Sequence, residues 1–98
     1  MDKLHFRTVE EFETLFKQKS KSVTDSIVSG IEKAMQDSDR SAKLFEITFD
    51  NYDRVYEISL PSSQWAESLQ SCLDYYHKEN LSDQAIDTWK LLELAKVW

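Results

Sequence analysis

The residues best suited to nucleophilic catalysis are one cysteine, Cys72, and two histidines, His5 and His77. A cysteine nucleophile needs a base within hydrogen-bonding distance. His77 follows Cys72 by five residues, which places the two side chains about 140° apart around a helix, and His5 can reach Cys72 only through tertiary folding. Cys72 also lies within an apolar helical stripe, where a free cysteine usually acts as a small hydrophobic residue. We therefore expect Cys72 in the core and predict no catalytic residues.

Ligand-binding motifs are equally sparse. The chain has no Cys-x-x-Cys, no histidine pair at i and i+4 and no calcium-loop pattern. The nearest approach to a metal site, Asp50-Asn51-Tyr52-Asp53, is better explained as a hairpin turn. Gly30 is the only glycine, so a phosphate-binding loop is not expected, and Lys17, Lys19 and Lys21 form a basic patch without interleaved aromatics. We predict no metal, no cofactor, no direct nucleic-acid binding and no enzymatic activity.

Negative charge is unevenly distributed along the chain. The formal net charge is −6, and residues 1–36 contribute nothing to it because six basic and six acidic residues balance there. From Asp37 to Trp98, twelve acidic residues outnumber six basic ones. A field of this sign repels phosphates and attracts basic surfaces. We therefore expect a cationic partner to meet the C-terminal two-thirds of the chain.

The length of 98 residues suits a single domain, residues 1–98, because a second hydrophobic core would need more apolar side chains. Hydrophobic residues at 41% and charged residues at 31% are typical of a globular protein. No apolar run approaches the roughly 20 residues of a membrane span. Met1 to Arg7 lacks the apolar core of a secretory signal. We expect a cytoplasmic protein that does not contact membranes.

Helical periodicity covers the first third of the chain. Thr8-Val9-Glu10-Glu11 fits a capping box. In this motif the Thr8 side chain accepts a hydrogen bond from the backbone N–H of Glu11, and the Glu11 side chain accepts one from the backbone N–H of Thr8. Residues 9–36 form either one long helix or two segments separated by the polar stretch 17–22, and two segments are favoured. Gly30 in this pattern costs about 1 kcal/mol relative to alanine, which suggests that another element approaches closely there.

Period-two alternation replaces the helical pattern from Leu44 onward and repeats from Tyr56 to Leu60. The sequence predicts a two-stranded hairpin with residues 51–54 as its turn. The expected alignment gives one wholly apolar face. It pairs Phe49 with Tyr56, Ile47 with Ile58, and Phe45 with Leu60.

Two amphipathic helices are expected after Pro61. The first carries an apolar stripe, Trp65, Leu69, Cys72, Leu73 and Tyr76. Since a hairpin alone is not stable in water, the helices must cover its apolar face. The expected fold is therefore α+β, a single small domain with an N-terminal helical region in one or two parts, a two-stranded antiparallel hairpin and two C-terminal helices, in the order α-β-β-α-α.

The last helix carries more apolar side chains than one contact can bury. Three of them, Ile86, Trp89 and Leu92, are expected to pack inward. A second stripe lies about 80 to 100° away around the helix and consists of Leu91, Leu94 and Trp98. Either a groove buries both stripes, or the second stripe is an interface.

The segment from Lys43 to Glu93 also has a family resemblance. Its acidic-faced strands, Leu44-Phe45-Glu46-Ile47 and Val55-Tyr56-Glu57-Ile58, precede two helical patterns, Trp65-x3-Leu69-x2-Cys72-Leu73-x2-Tyr76 and Ile86-x2-Trp89-x-Leu91-Leu92. In this half of the chain the sequence resembles small uncharacterised bacteriophage proteins. The resemblance rests on hydrophobic pattern and brings no catalytic residue. It implies a phage-encoded accessory factor that binds a host or phage protein.

Taken together, these features favour a non-catalytic protein-binding module. Its contact is expected to be Leu91, Leu94 and Trp98, framed by acidic residues, and a homodimer is one form of such association. The alternative is an acidic inhibitor or nucleic-acid mimic, whose carboxylates imitate phosphates and occupy a basic site on a target protein. Those carboxylates belong to Glu46, Asp50, Asp53 and Glu57.

Overall fold

The computed structural model describes residues 2–17, 21–50 and 52–98, which form a three-stranded sheet covered by a layer of helices. The α+β class is confirmed, but the order α-β-β-α-α is wrong in detail because a strand precedes the first helix. In chain order the elements are β1 (Asp2–Phe6), α1 (Val9–Lys17), α2 (Lys21–Gln36), β2 (Ser41–Phe49), β3 (Tyr52–Pro61), a short 3-10 helix (Ser62–Gln64), α3 (Trp65–Lys78) and α4 (Ser82–Lys96).

The additional strand, β1, lies parallel to β2 at one edge of the sheet, and β3 lies at the other edge. Leu4 is opposite Ile47, and Phe6 is opposite Phe49. With five residues, β1 is too short to give a strong periodic signal. Its partner strand is also distant in the sequence, so its place depends on tertiary packing.

The predicted hairpin of β2 and β3 is confirmed, but its register differs by two residues. Phe45 lies opposite Ile58 and not Leu60. β3 already begins at Tyr52, inside the predicted turn of residues 51–54, whose first residue lies outside the described part of the chain. From Phe45 to Ile47 this two-residue slip keeps each side chain on its expected face, because the pleat repeats every two residues. The hydrophobic pattern therefore cannot distinguish the two registers. Irregularities between Lys43 and Phe45 and between Ile47 and Phe49 change the offset on either side of these pairs.

α1 and α2 are separate elements, the alternative that the sequence favoured. Residues 18–20, within the predicted polar break, lie outside the described part of the chain. Half of the capping box is as predicted, since the backbone N–H of Glu11 donates to Thr8 Oγ1 at 3.2 Å. The Glu11 carboxylate accepts from the backbone N–H of Arg7 at 3.1 Å, one residue before the expected donor. α2 ends as predicted, with Ser38 in a left-handed conformation at φ 57° and the N–H of Asp39 bonded to an earlier carbonyl.

Gly30 marks the place where α2 crosses the sheet. A Cβ atom at this position would lie 2.6 Å from Leu44 Cδ2 and 3.4 Å from the carbonyl oxygen of Lys43. The close approach inferred from the sequence is therefore confirmed. Glycine permits contact between the backbone of α2 and the β2 strand that no other residue allows without displacement.

The helices cover one face of the sheet. Phe45 and Ile47 are buried on that face, and the ring of Phe16 on α1 packs edge-on against Phe45 at 5.2 Å between centroids. The shortest dimension of the molecule, 17 Å, fits one sheet and one helical layer. Side chains of the opposite face, which we call the open face, alternate with the buried ones, except where an irregularity in β2 leaves both Leu44 and Phe45 buried. The open face includes Lys3, His5, Lys43, Glu46, Thr48, Glu57 and Ser59.

α3 supplies the centre of the core. All five residues of its predicted stripe are buried, and Trp65 and Leu69 are completely inaccessible to solvent. The indole N–H of Trp65 donates to the carbonyl oxygen of Leu60 at 2.8 Å, which satisfies the ring's only donor. Cys72, at 4% exposure, is a core residue as expected.

Candidate interaction surfaces

α4 turns a face that includes small residues toward the core. Its buried residues are Ala85, Thr88, Leu91 and Leu92. The inward position of Leu92 is confirmed. Leu91, expected in the interface stripe, is only 8% exposed and belongs to the core. Alanine and threonine let helices pack at short distance, and a pattern based on large apolar side chains does not detect such a stripe.

The outward side of α4 and its C-terminal cap carries five large apolar side chains, which we call the outer α4 surface. Ile86 and Trp89 are 54% and 52% exposed, so the prediction that they pack inward is wrong. Leu94, Val97 and Trp98 are 51%, 84% and 49% exposed. Two members of the predicted interface stripe therefore do lie at the surface, and the third does not.

The outer α4 surface has two parts with different surroundings. Ile86 and Trp89 line an open groove of about 390 Å³ between α3 and α4. Trp98 packs against Trp65, with 5.7 Å between the ring centroids, so it also shields the core. Substitutions at Ile86 and Trp89 should therefore disturb folding less than substitutions at Trp98.

Two of the four acidic residues considered as phosphate mimics lie together on the open face. Glu46 and Glu57 are direct cross-strand partners, an arrangement in which like charges repel, and Lys3 of β1 lies opposite Glu46 on its other side. Within the described residues, neither forms an ion pair. Asp50 is instead bound to His5, and Asp53 is exposed near the start of β3. The structure thus groups Glu46 with Glu57 and engages Asp50 elsewhere.

His5 bridges Thr48 of β2 and Asp50, the residue that follows β2. Its Nδ1 lies 2.8 Å from Thr48 Oγ1, and its Nε2 lies 2.5 Å from Asp50 Oδ1. Cys72 lines a separate groove of about 200 Å³ between α2 and α3. No histidine is among the described residues that line this groove. The burial of Cys72 supports the core role that was expected from the sequence.

A part-buried hydrogen bond joins α3 to α2. The Tyr76 hydroxyl donates to Asp25 Oδ1 at 2.5 Å, and Asp25 Oδ2 accepts from Lys21 Nζ at 2.8 Å. Burial raises the pKa of Tyr76 far above its usual value, and the hydrogen bond to Asp25 and the charge of that carboxylate raise it further. Tyr76 is therefore a neutral structural residue over the physiological range.

β3 borders a second apolar concavity, which sequence reasoning missed. The β3 groove, as we name it, has a volume of about 470 Å³. Tyr52 and Tyr56 are 54% and 42% exposed in it, and each ring centroid lies 5.9 Å from that of Phe49. The sequence pattern predicts Tyr52 in the turn and Tyr56 on a covered face. The lining is apolar apart from Glu57 and is otherwise formed by Val9, Phe12, Ile47, Phe49, Tyr52, Tyr56 and Ile58.

Comparison with protein-family models, with curated proteins and with solved structures gave no significant match to this chain. Its surfaces are therefore the basis for any functional proposal. In the described part of the chain, no group of three or more His, Cys, Asp or Glu residues is arranged to hold a metal ion. No described helix is long and apolar enough to cross a bilayer.

Proposed function

We propose that this chain is a non-catalytic protein-binding module that captures a partner protein on the outer α4 surface. The observation that carries the proposal is the exposure of five large apolar side chains on one helix and its cap, each at 49% or more. Single exposed apolar residues are normal on protein surfaces. Several large exposed apolar residues on one element mark a site of association.

Trp89 and Ile86 are the best candidates for anchors. They lie three residues apart and therefore on adjacent turns of the same side of α4. The groove beside them, between α3 and α4, can receive an apolar side chain of a partner. Tryptophan is also enriched among the residues that dominate binding energy at interfaces. Burial of this pair should supply most of the affinity.

Acidic side chains frame this surface. Asp83, Asp87 and Glu93 are exposed on α4 and outnumber its two exposed basic residues, Lys90 and Lys96, of which Lys96 pairs with Glu93 at 3.3 Å. Charges at the rim of an interface steer association and select partners more than they add affinity. A partner with a basic rim fits this arrangement, in keeping with the excess of acidic residues after Gln36.

The nature of the partner divides into two cases. A second copy of the chain can cover the outer α4 surface, which would make the protein a homodimer. A different protein can cover it instead, which is the accessory role that the resemblance to small bacteriophage proteins implies. A cytoplasmic location is part of the proposal in both cases.

Replacement of Ile86 and Trp89 together with serine tests the proposal. Both side chains are half exposed, so we expect the free energy of unfolding to fall by no more than about 1 kcal/mol. Static light scattering of the parent at several concentrations shows whether it self-associates, and the variant should then be monomeric. If the parent is monomeric, a photo-crosslinking residue at position 86 should capture a discrete partner from cell extract, and Trp89→Ser should abolish that capture.

The matched control replaces Val55 with serine, because Val55 is an apolar residue of similar exposure on β3 and does not line the β3 groove. This variant should behave as the parent in both measurements. A crosslinker at Ser29, exposed on α2, should capture nothing. A monomeric parent that gives the same crosslinked products from positions 86 and 29 would contradict the proposal.

The pairing of Glu46 with Glu57 supports a second candidate function, the acidic inhibitor or nucleic-acid mimic. Two carboxylates held opposite each other on adjacent strands present a local negative charge that a basic site can neutralise. Asp53 adds a further exposed carboxylate on β3. In this case Glu46→Gln and Glu57→Gln should weaken capture of the target.

Salt dependence separates the two candidates. Exposed charges are screened within about 8 Å at physiological ionic strength, so capture by a mimic should weaken steeply as salt is added. Burial of tryptophan and isoleucine depends little on salt. A captured complex that survives high salt, and is lost in Trp89→Ser, identifies the outer α4 surface as the contact.

A further inference from the structure

The free edge of β3 is a second binding surface, separate from the outer α4 surface. We infer that it accepts an extended segment of another protein in which apolar and basic residues alternate, and that this segment adds a fourth strand to the sheet. The inference rests on three features of the edge: its unpaired backbone, the apolar groove on one side, and the acidic side chains on the other.

The backbone of β3 is available for pairing. β3 is ten residues long, pairs with β2 on one side, and has no strand beside it on the other among the described elements. Alternate backbone N–H and C=O groups of an edge strand point outward and can bond to an added strand. Addition of a strand to such an edge is a common mode of peptide recognition, in which side-chain pockets supply the specificity.

Apolar side chains of the added strand have a receptive surface on the helix side of the sheet. The β3 groove runs along this edge, with Tyr52 and Tyr56 exposed at its border. Alternate residues of an added strand point to the same face. Every second residue would therefore contact the groove, which favours valine, isoleucine or aromatic side chains at those positions.

The remaining side chains of the added strand would lie on the open face, beside acidic residues. Glu57 of β3 is exposed and lies opposite Glu46 on β2, and Asp53 is exposed four residues earlier, with the exposed Val55 between them. Arg54 is the only basic residue of β3. Lysine or arginine in the added strand would relieve the repulsion between Glu46 and Glu57.

The same charges argue against a second copy of the chain at this edge. A second β3 would bring its own Asp53 and Glu57 close to those of the first. Charged residues on an exposed edge are a recognised protection against pairing of identical strands. The occupant that the charge pattern fits is a basic, apolar-alternating segment of a different protein.

Fluorescence anisotropy with a labelled ten-residue peptide of alternating valine and lysine tests the inference directly. We expect saturable binding at an ionic strength of about 0.05 M, where screening is weak. Two control peptides should bind at least about tenfold more weakly. One alternates valine with glutamate, and the other has all its valines before all its lysines.

Backbone methylation distinguishes strand addition from simple charge attraction. In one modified peptide the backbone amide nitrogens of the valines are methylated. In the other, the backbone amide nitrogens of the lysines are methylated. Only one of these sets faces β3 in an added strand. We expect one modified peptide to lose binding at least about tenfold and the other to bind within about threefold of the parent peptide.

Variants of the chain locate the site. Glu57→Lys should weaken binding of the valine–lysine peptide about tenfold and strengthen that of the valine–glutamate peptide, because the charge is reversed. Tyr56→Ser should weaken binding of the valine–lysine peptide by loss of groove contacts. Trp89→Ser should bind it as the parent does, so failure of the outer α4 proposal and failure of this one are distinguishable.

Three outcomes would overturn the inference. The first is no binding of the valine–lysine peptide by the folded parent protein. The second is equal loss, or no loss, with the two methylated peptides, which indicates binding without strand pairing. The third is a dimer that dissociates on Tyr56→Ser but not on Trp89→Ser, which would show that a second copy occupies the edge.

Discussion

Individual small residues decide how closely the elements of this protein approach each other. Gly30 lets α2 contact β2, where a Cβ atom would overlap Leu44 Cδ2 at 2.6 Å. Ala85 and Thr88 occupy the inward side of α4, at 4% and 1% exposure. At such contacts the volume of a side chain matters more than its polarity, because protein interiors are close-packed.

Gly30→Ala tests this dependence on volume. Alanine in a helix interior normally stabilises by about 1 kcal/mol relative to glycine. Overlap in a packed core costs about 1–3 kcal/mol. We therefore expect no net gain, and a loss of up to about 2 kcal/mol in the free energy of unfolding, measured by urea denaturation.

Ser29→Ala, at an exposed position on the same helix, is the control and should be neutral or slightly stabilising. The double variant Gly30→Ala with Leu44→Ala should be less destabilised than the sum of its single changes, because the new methyl group occupies space that leucine leaves. A gain of about 1 kcal/mol from Gly30→Ala alone would contradict the close contact.

At the scale of elements, α4 and β3 each contact the core on one side and leave large apolar side chains exposed elsewhere. α4 buries Leu91 and exposes Ile86, although both are large aliphatic residues on the same helix. β3 pairs with β2 and leaves its other edge open. These two uncovered sides are the basis of the two binding surfaces proposed for the protein.

Comparison of Leu91→Ala with Ile86→Ala tests the orientation of α4. Loss of a buried leucine costs about 2–5 kcal/mol through lost contacts and the cavity that remains. Ile86 is 54% exposed, and alanine is the better helix former, so its replacement should change stability by no more than about 0.5 kcal/mol. Urea denaturation of both variants measures the difference, and equal destabilisation would mean that α4 is rotated from the orientation described.

At the scale of the whole molecule, the Tyr76–Asp25 hydrogen bond links the C-terminal helices to the N-terminal half. It spans 51 residues of sequence and joins α3 to α2, which in turn contacts the sheet at Gly30. Because Tyr76 is held neutral by burial and by the neighbouring carboxylate, its ionisation is coupled to the folding of the domain.

Alkaline pH should therefore weaken the fold through Tyr76. The folded pKa lies above the unfolded value near 10, so the stabilisation is present below pH 10 and declines as pH rises further. The free energy of unfolding should fall by up to about 1.4 kcal/mol per pH unit from this one proton. In Tyr76→Phe that contribution is absent, and stability at neutral pH should be lower by about 1 kcal/mol. Identical slopes above pH 10 in the two proteins would contradict this coupling.

Local pattern was sufficient for several features because each depends on residues that are close in sequence. The Thr8 cap, the stripe from Trp65 to Tyr76 and the hairpin alternation are signals of this kind, and all three are present in the structure. The candidate surface was only partly predictable. Leu94 and Trp98 are exposed as expected, whereas Leu91 is not.

The sequence by itself determined the α+β class, the core stripe of α3 and the burial of Cys72, and it favoured two helices over one within residues 9–36 without deciding between them. Tertiary structure alone decided the parallel strand β1, the hairpin register, the side that α4 turns inward and the groove beside β3. The physical reason is the same in each case. Periodicity indicates that one side of a helix or strand is apolar. Whether another element covers that side, and which one, depends on packing between residues that are far apart in the chain.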